Sequence, residues 1–117
     1  MISAVNSTIS ALQANKTRLG VTADNIANVN TDEFKKSRAI QKEGNNGHVQ
    51  VNIERVNTPG HRYQELEGNQ VIEKEGSNVN LEEEIPDLMV TQRTYEANLK
   101  VLQTHDKMLG TLLDITG

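Results

Sequence analysis

The chain has 117 residues, room for about one domain, and only 35% of them are apolar, with one Phe, two Tyr and no Trp. Such a composition does not fill a deep globular core, and the net charge of −4, with no basic stripe interleaved with aromatics, speaks against nucleic acid as a partner. With no cysteine, disulfides, zinc–thiolate sites and thiol catalysis are excluded.

Charge is unevenly placed along the chain. Residues 1–43 hold six Lys/Arg against four Asp/Glu, and residues 44–117 hold six against twelve. Halves of opposite sign suit head-to-tail stacking of like subunits, although solvated faces of ordinary helices account for the numbers equally well. No apolar run approaches the ~20 residues of a membrane span, so direct membrane insertion is not expected. The N-terminus shows neither a basic leader nor an unbroken apolar stretch, so no cleavable secretory signal is expected.

The first predicted element is a helix from about Ile2 to Ala27. Ile2, Val5, Ile9, Leu12, Lys16, Leu19, Ala23 and Ile26 recur at alternating three- and four-residue steps, and only Lys16 breaks that seam. Lys16 either lifts its amine out to water or fixes the register of a partner. Gly20 lies inside the helix at a cost of about 1 kcal/mol relative to Ala, with no local reason. Asn28-Val29-Asn30-Thr31-Asp32 reads as a C-cap and tight turn. Phe34 is expected to pack back on the helix end while Lys35, Lys36 and Arg38 stay in water.

Past Ala39 the period changes to two. Val49, Val51 and Ile53 alternate with polar residues, and Gly44-Asn45-Asn46-Gly47 is a hairpin loop that pairs this strand with Ser37–Lys42. Thr58-Pro59-Gly60 marks a turn, and Gln70–Lys74 reads as a short strand. The last helix opens at Asn80, a credible N-cap, with Glu82, Glu83 and Glu84 at the positive end of its dipole. Pro86 predicts either a later start or a kink. Leu81, Ile85, Leu88, Gln92, Tyr95, Leu99, Leu102, Asp106, Leu109 and Leu113 form a second seam, eight of whose ten positions are apolar. Asp106 is short and is expected to face water or another chain. The chain thus divides into an N-terminal helix (1–29), a turn with a small β or irregular segment (30–76), and a C-terminal helix (77–117). The fold class is mainly α, its two long helices packing as an antiparallel coiled-coil-like pair. Their combined seams exceed what one pair can cover, which predicts partner chains.

Signs of catalysis are weak. His48, His61 and His105 lack metal-ligand spacing, and His105 and Asp106, being adjacent, do not face each other on a helix. No phosphate-cradling glycine loop or nucleophile elbow is present, so no enzyme, metal or cofactor is expected.

Ala11-Leu12-Gln13 leading into Leu19-Gly20-Val21-Thr22-Ala23-Asp24-Asn25-Ile26-Ala27-Asn28-Val29-Asn30-Thr31 resembles the N-terminal signature of bacterial flagellar rod and hook proteins. Ser77-Asn78-Val79-Asn80-Leu81, Gln92-Arg93-Thr94-Tyr95-Glu96-Ala97-Asn98 and Met108-Leu109-Gly110-Thr111-Leu112-Leu113-Asp114-Ile115 resemble the C-terminal signature of the same group. Where the family continues with Pro-Gly and an aromatic, Asp32-Glu33-Phe34 stands here, leaving that turn less tightly specified. The resemblance implies a structural subunit of the basal-body rod, with helices that pack into the inner tube of the axial structure. It implies as partners copies of itself, other rod proteins and the flagellar type III export apparatus, and terminal segments that order on assembly. The short middle segment makes the chain most like a small proximal rod protein. Val5, Ile9, Leu12, Leu19, Asn25, Ile26, Asn28, Leu88, Tyr95, Asn98, Leu99, Leu102, Leu109 and Leu113 would then form the assembly interface. A cytoplasmic coiled-coil adaptor or export chaperone that binds a partner helix is the alternative use of the same seams.

Overall fold

The computed structural model describes residues 2–116. Helix α1 spans Ile2–Ala27 and helix α2 spans Leu81–Thr116; the two pack against each other. Asn28 ends α1 as its short amide side chain allows. Its Nδ2 donates to the Asp24 carbonyl at 2.8 Å, and its Oδ1 accepts the Thr31 hydroxyl at 3.0 Å. At the other helix start, the Asn80 carbonyl accepts the amides of Glu83 and Glu84. The helix therefore begins at Leu81, and Pro86 lies inside it. The amide that Pro86 lacks would have served the carbonyl of Glu82, an exposed residue whose carbonyl can turn to water.

Strand β1 (Ser37–Glu43) pairs antiparallel with β2 (Val49–Arg55), Ser37 opposite Arg55 and Glu43 opposite Val49. The loop between them turns at Asn46 (φ 61°) and Gly47 (φ 74°), two residue types that tolerate the left-handed region. This ribbon runs back along α1. The Val49 amide donates to Ser10 Oγ at 3.1 Å, and Gln41 Nε2 donates to the Asn15 carboxamide oxygen at 3.1 Å.

A second ribbon joins β3 (Arg62–Glu67) to β4 (Gln70–Glu75), with Glu67 opposite Gln70. The two-residue turn has Gly68 at φ 65° in its first position, the arrangement of a type II′ hairpin. Only β4 was expected from the sequence. The molecule extends 82 Å along its long axis, whereas the 36 residues of α2 account for roughly 54 Å. Because β1–β2 lies along α1, the β3–β4 ribbon supplies the remaining length beyond the helix pair.

Gly60 and Gly76 set the base of this ribbon. The Gly76 amide donates to the His61 carbonyl at 2.8 Å, and a β-carbon at Gly60 would overlap the Gly76 carbonyl. Backbone cannot yield as a flexible side chain does. Gly60→Ala is therefore expected to cost about 2 kcal/mol, read as a lower denaturation midpoint, whereas Gly68→Ala leaves the base intact and costs only its turn strain.

Candidate assembly interface

The covered face of α1 is small and polar. Ala11, Ala14, Arg18, Thr22 and Asn25 recur at three- and four-residue steps; of these Ala14, Thr22 and Asn25 are buried, as is Asn15 beside them. They are held between α2 and the β1–β2 ribbon. Across the helices Arg18 forms an ion pair with Asp87, whose second oxygen accepts the Thr22 hydroxyl at 3.1 Å. Thr91 is buried one turn on, with its hydroxyl donating to the Asp87 carbonyl at 2.8 Å. Farther along, Val5 shares a cleft with Leu102, His105 and Leu109.

The apolar seams flank this contact instead of filling it. Val5, Leu12, Ile26, Leu88 and Leu102 are half-buried along its margins. Ile9, Leu19, Tyr95, Leu99 and Leu109 are exposed, and Leu113 is 68% exposed. Lys16 and Asp106, the polar interruptions, are exposed too. On α1 a polar side is spent within the chain and an apolar side stays open, whereas on α2 the exposed leucines border the contact. Leu112 and Ile115 are also exposed near the end of α2.

The asparagines named from the sequence have distinct places. Asn25 is 2% exposed, and its carboxamide is spent within the chain: Nδ2 donates to the Ser37 carbonyl at 2.8 Å while Oδ1 accepts the Ser37 amide at 3.0 Å. It imitates a strand partner and ties β1 to the helix end. Asn28 closes the turn described above, and Asn98 is half-buried on α2. Sequence reasoning missed Asn78. Its Oδ1 accepts the Lys36 amide at 2.7 Å, and its Nδ2 donates to the carbonyls of Val56 and Thr58 at 2.8 and 2.9 Å. Asn25 and Asn78 thus grip consecutive peptides, Ser37 and Lys36, from the two ends of the chain.

Of the cations after Phe34, Lys35 and Lys36 are not left in water as expected. Lys35 Nζ reaches Glu75 at 2.5 Å, a carboxylate that also accepts the Gly60 amide at 2.8 Å. These bonds hold the Glu75 carboxyl below the usual carboxylate range. Lys36 is buried with its amine 3.5 Å from Glu83. Phe34 is half-buried and Arg38 exposed. His105 is half-buried, and its Nδ1 is buried without a hydrogen-bond partner among the described residues. Tyr63 donates to Asp32 at 2.6 Å, and this bond raises its hydroxyl above the ordinary tyrosine value.

Arg18, Asn25, Lys36, Glu84 and Asp87 line a cleft of about 300 Å³ where α1, α2 and β1 meet. Burial pushes the Glu84 carboxyl above its ordinary 4.5, while the Asn25 carboxamide pulls the other way. A carboxyl raised in the folded state holds its proton more tightly there. Its contribution to stability is therefore fully present below about 4.5 and is lost as pH rises through the raised value. Glu84→Gln is expected to remove that slope from a plot of denaturation midpoint against pH, and to stabilise the chain slightly at neutral pH.

Among the described residues no cluster of His, Cys, Asp and Glu could hold a metal ion, and no helix is long and apolar enough to cross a membrane. A family profile described as "Flagella basal body rod protein" matches residues 6–35, and one described as "Flagellar basal body rod FlgEFG protein C-terminal" matches residues 74–115. The chain belongs to the flagellar basal-body rod protein family. The two matches fall on α1 with its Asn-rich turn and on α2 with the Asn78 segment, so they contain both asparagine clamps and both seams apart from Ile2 and Val5. No curated protein matches the chain significantly. Membership places this rod protein among the structural components of the flagellar basal body, where assembly with other rod components is implied.

Proposed function

We propose that this chain is a non-enzymatic rod subunit whose helices form an antiparallel, coiled-coil-like pair. It self-assembles through its open apolar seams, with copies of itself and with other rod proteins, into a hollow axial tube. The observation that carries the reading is the apolar surface that the helices leave open. The contact within the chain uses Ala14, Thr22, Asn25 and Thr91, whereas Ile9, Leu19 and Leu99 stand exposed beside it and Leu113 is exposed near the end of α2. Exposed apolar area of this extent marks an interaction surface. Antiparallel pairing is supported by Arg18 meeting Asp87 while Val5 lies beside Leu102 and Leu109.

Gly20 and Gly110 point the same way. Each weakens its helix by about 1 kcal/mol relative to Ala, and none of the described residues approaches the space where a side chain would be. Close approach by a neighbouring helix is a reason for both. The chain is a small proximal rod protein in this reading: residues 1–29 and 77–117 form the axial helices, and residues 30–76 form the compact middle segment. It leaves the cytoplasm through the flagellar type III export apparatus.

Purified protein tests this by sedimentation and electron microscopy. The rod reading expects monomers at dilution and open-ended assemblies on concentration or seeding. A small closed helical oligomer that persists on dilution would favour a coiled-coil adaptor or export chaperone instead.

A further inference from the structure

We infer that the β3–β4 ribbon is an arm of adjustable angle, latched to the rest of the chain through Glu75 and the Tyr63–Asp32 hydrogen bond. The device belongs to the single chain and does not depend on assembly. Among the described residues β3–β4 pairs with no third strand and makes no extended contact with either helix. Its direction is therefore not set by packing of an apolar face. Between its base and the turn after α1 lies a cleft of about 270 Å³, lined in part by Val29, Asn30, Asp32, His61 and Tyr63.

The chain on either side of the ribbon is fixed. Asn78 grips the Lys36 amide and the carbonyls of Val56 and Thr58 through an uncharged side chain. Between these anchors and the strands lie Pro59, Gly60 and His61 on the way in, and Gly76 and Ser77 on the way out. Short connectors of this kind absorb the change of angle in hinged elements. Three ties cross the pivot. The Glu75 carboxylate binds Lys35 Nζ at 2.5 Å and accepts the Gly60 amide at 2.8 Å. The Tyr63 hydroxyl donates to Asp32 at 2.6 Å, and the Glu33 amide donates to the Glu75 carbonyl at 3.0 Å. Asp32 is exposed and the Lys35–Glu75 pair is partly so, which leaves these bonds open to replacement by water.

The third tie also holds strain. Glu33 sits at φ 62°, a region disfavoured for a residue with a β-carbon, and such a residue stays there only while its surroundings enforce it. Release of the ribbon lets this turn relax, so the strain works against the latch. An arm held in this way changes its angle while the helices, joined by Arg18 and Asp87, and β1, tied by Asn25, keep their packing.

The cysteine-free chain gives a clean background for spin labels. Labels at Leu66→Cys, on the ribbon, and Arg93→Cys, on α2, are expected to give one narrow distance distribution by pulsed electron resonance in dilute protein. Adding Glu75→Gln is expected to make it about twice as broad with the helical signal unchanged, and Lys35→Met to do the same. The two together should broaden it no further than either alone, because they break one pair. A control pair at Lys16→Cys and Arg93→Cys should stay narrow throughout. A ribbon distance that stays narrow in both latch variants would overturn the proposal, since the backbone would then fix the angle. Equal breadth before and after the substitutions would overturn it too, as would broadening of the control pair, which marks loosening of the whole fold.

Discussion

Replacing Asn78 with Ala is expected to destabilise the fold by about 3 kcal/mol, a large share of the ~5–15 kcal/mol typical of a whole domain. The side chain is 7% exposed and serves three backbone groups at once: the Lys36 amide and the carbonyls of Val56 and Thr58. Truncation leaves all three without that partner in a site that is mostly closed to water. Each such group costs about 1–3 kcal/mol if it stays dry, and some water entry keeps the total below the sum. Asn78→Asp separates hydrogen bonding from packing. It keeps an acceptor for Lys36 but turns a carboxylate toward two carbonyls, so its loss should match or exceed that of Ala. Denaturant unfolding reads the magnitude. Amide exchange reads the place: the Val56 amide, bonded to the Lys36 carbonyl at 2.9 Å, should lose protection first.

The second large effect is expected at Leu99. Its side chain stands exposed on the seam of α2, so Leu99→Asp removes little packing from the single chain and should change monomer stability by less than about 1 kcal/mol. In an assembly the same carboxylate would be carried into an apolar contact between helices, where an unpaired charge is strongly disfavoured. Assembly should be abolished, with Leu99→Met close to the parent as the control of similar volume. Sedimentation of the three proteins at equal concentration decides it. Assembly by the Asp variant at the parental threshold would remove Leu99 from the interface and with it the proposed seam.

The contrast between these two residues shows what could be read from the sequence. Leu99 belongs to a repeating pattern, and a repeat of apolar residues by itself announces a helix with an apolar stripe. The limits of α1, the Asn28 cap and the β1–β2 hairpin around Gly44–Gly47 were legible for similar reasons, since each is a local signal. The face that α1 turns to the rest of its own chain was not legible. Ala14, Asn15, Thr22 and Asn25 have no hydrophobic periodicity, and they are buried through polar contacts and close approach.

Asn78 was hidden because its partners lie 20 to 42 residues away in the chain. Strand β3 was hidden because Tyr63 and Leu66 fall on opposite faces of Arg62–Glu67, so no alternation appears. Lys35 and Lys36 resembled a solvated basic run, and only the fold brings Glu75 and Glu83 to them. Of the candidate interface, the exposed leucines were legible from spacing, whereas the inward role of Asn25 required the position of Ser37.

The central claim is that the chain is a structural part of the rod, and deleting it in its host tests this most directly. Basal bodies purified from the deletion strain and imaged by electron microscopy should lack the rod while keeping the membrane ring. Swimming should be lost and should return when the chain is supplied again. Intact rods and normal swimming in the deletion strain would contradict the account.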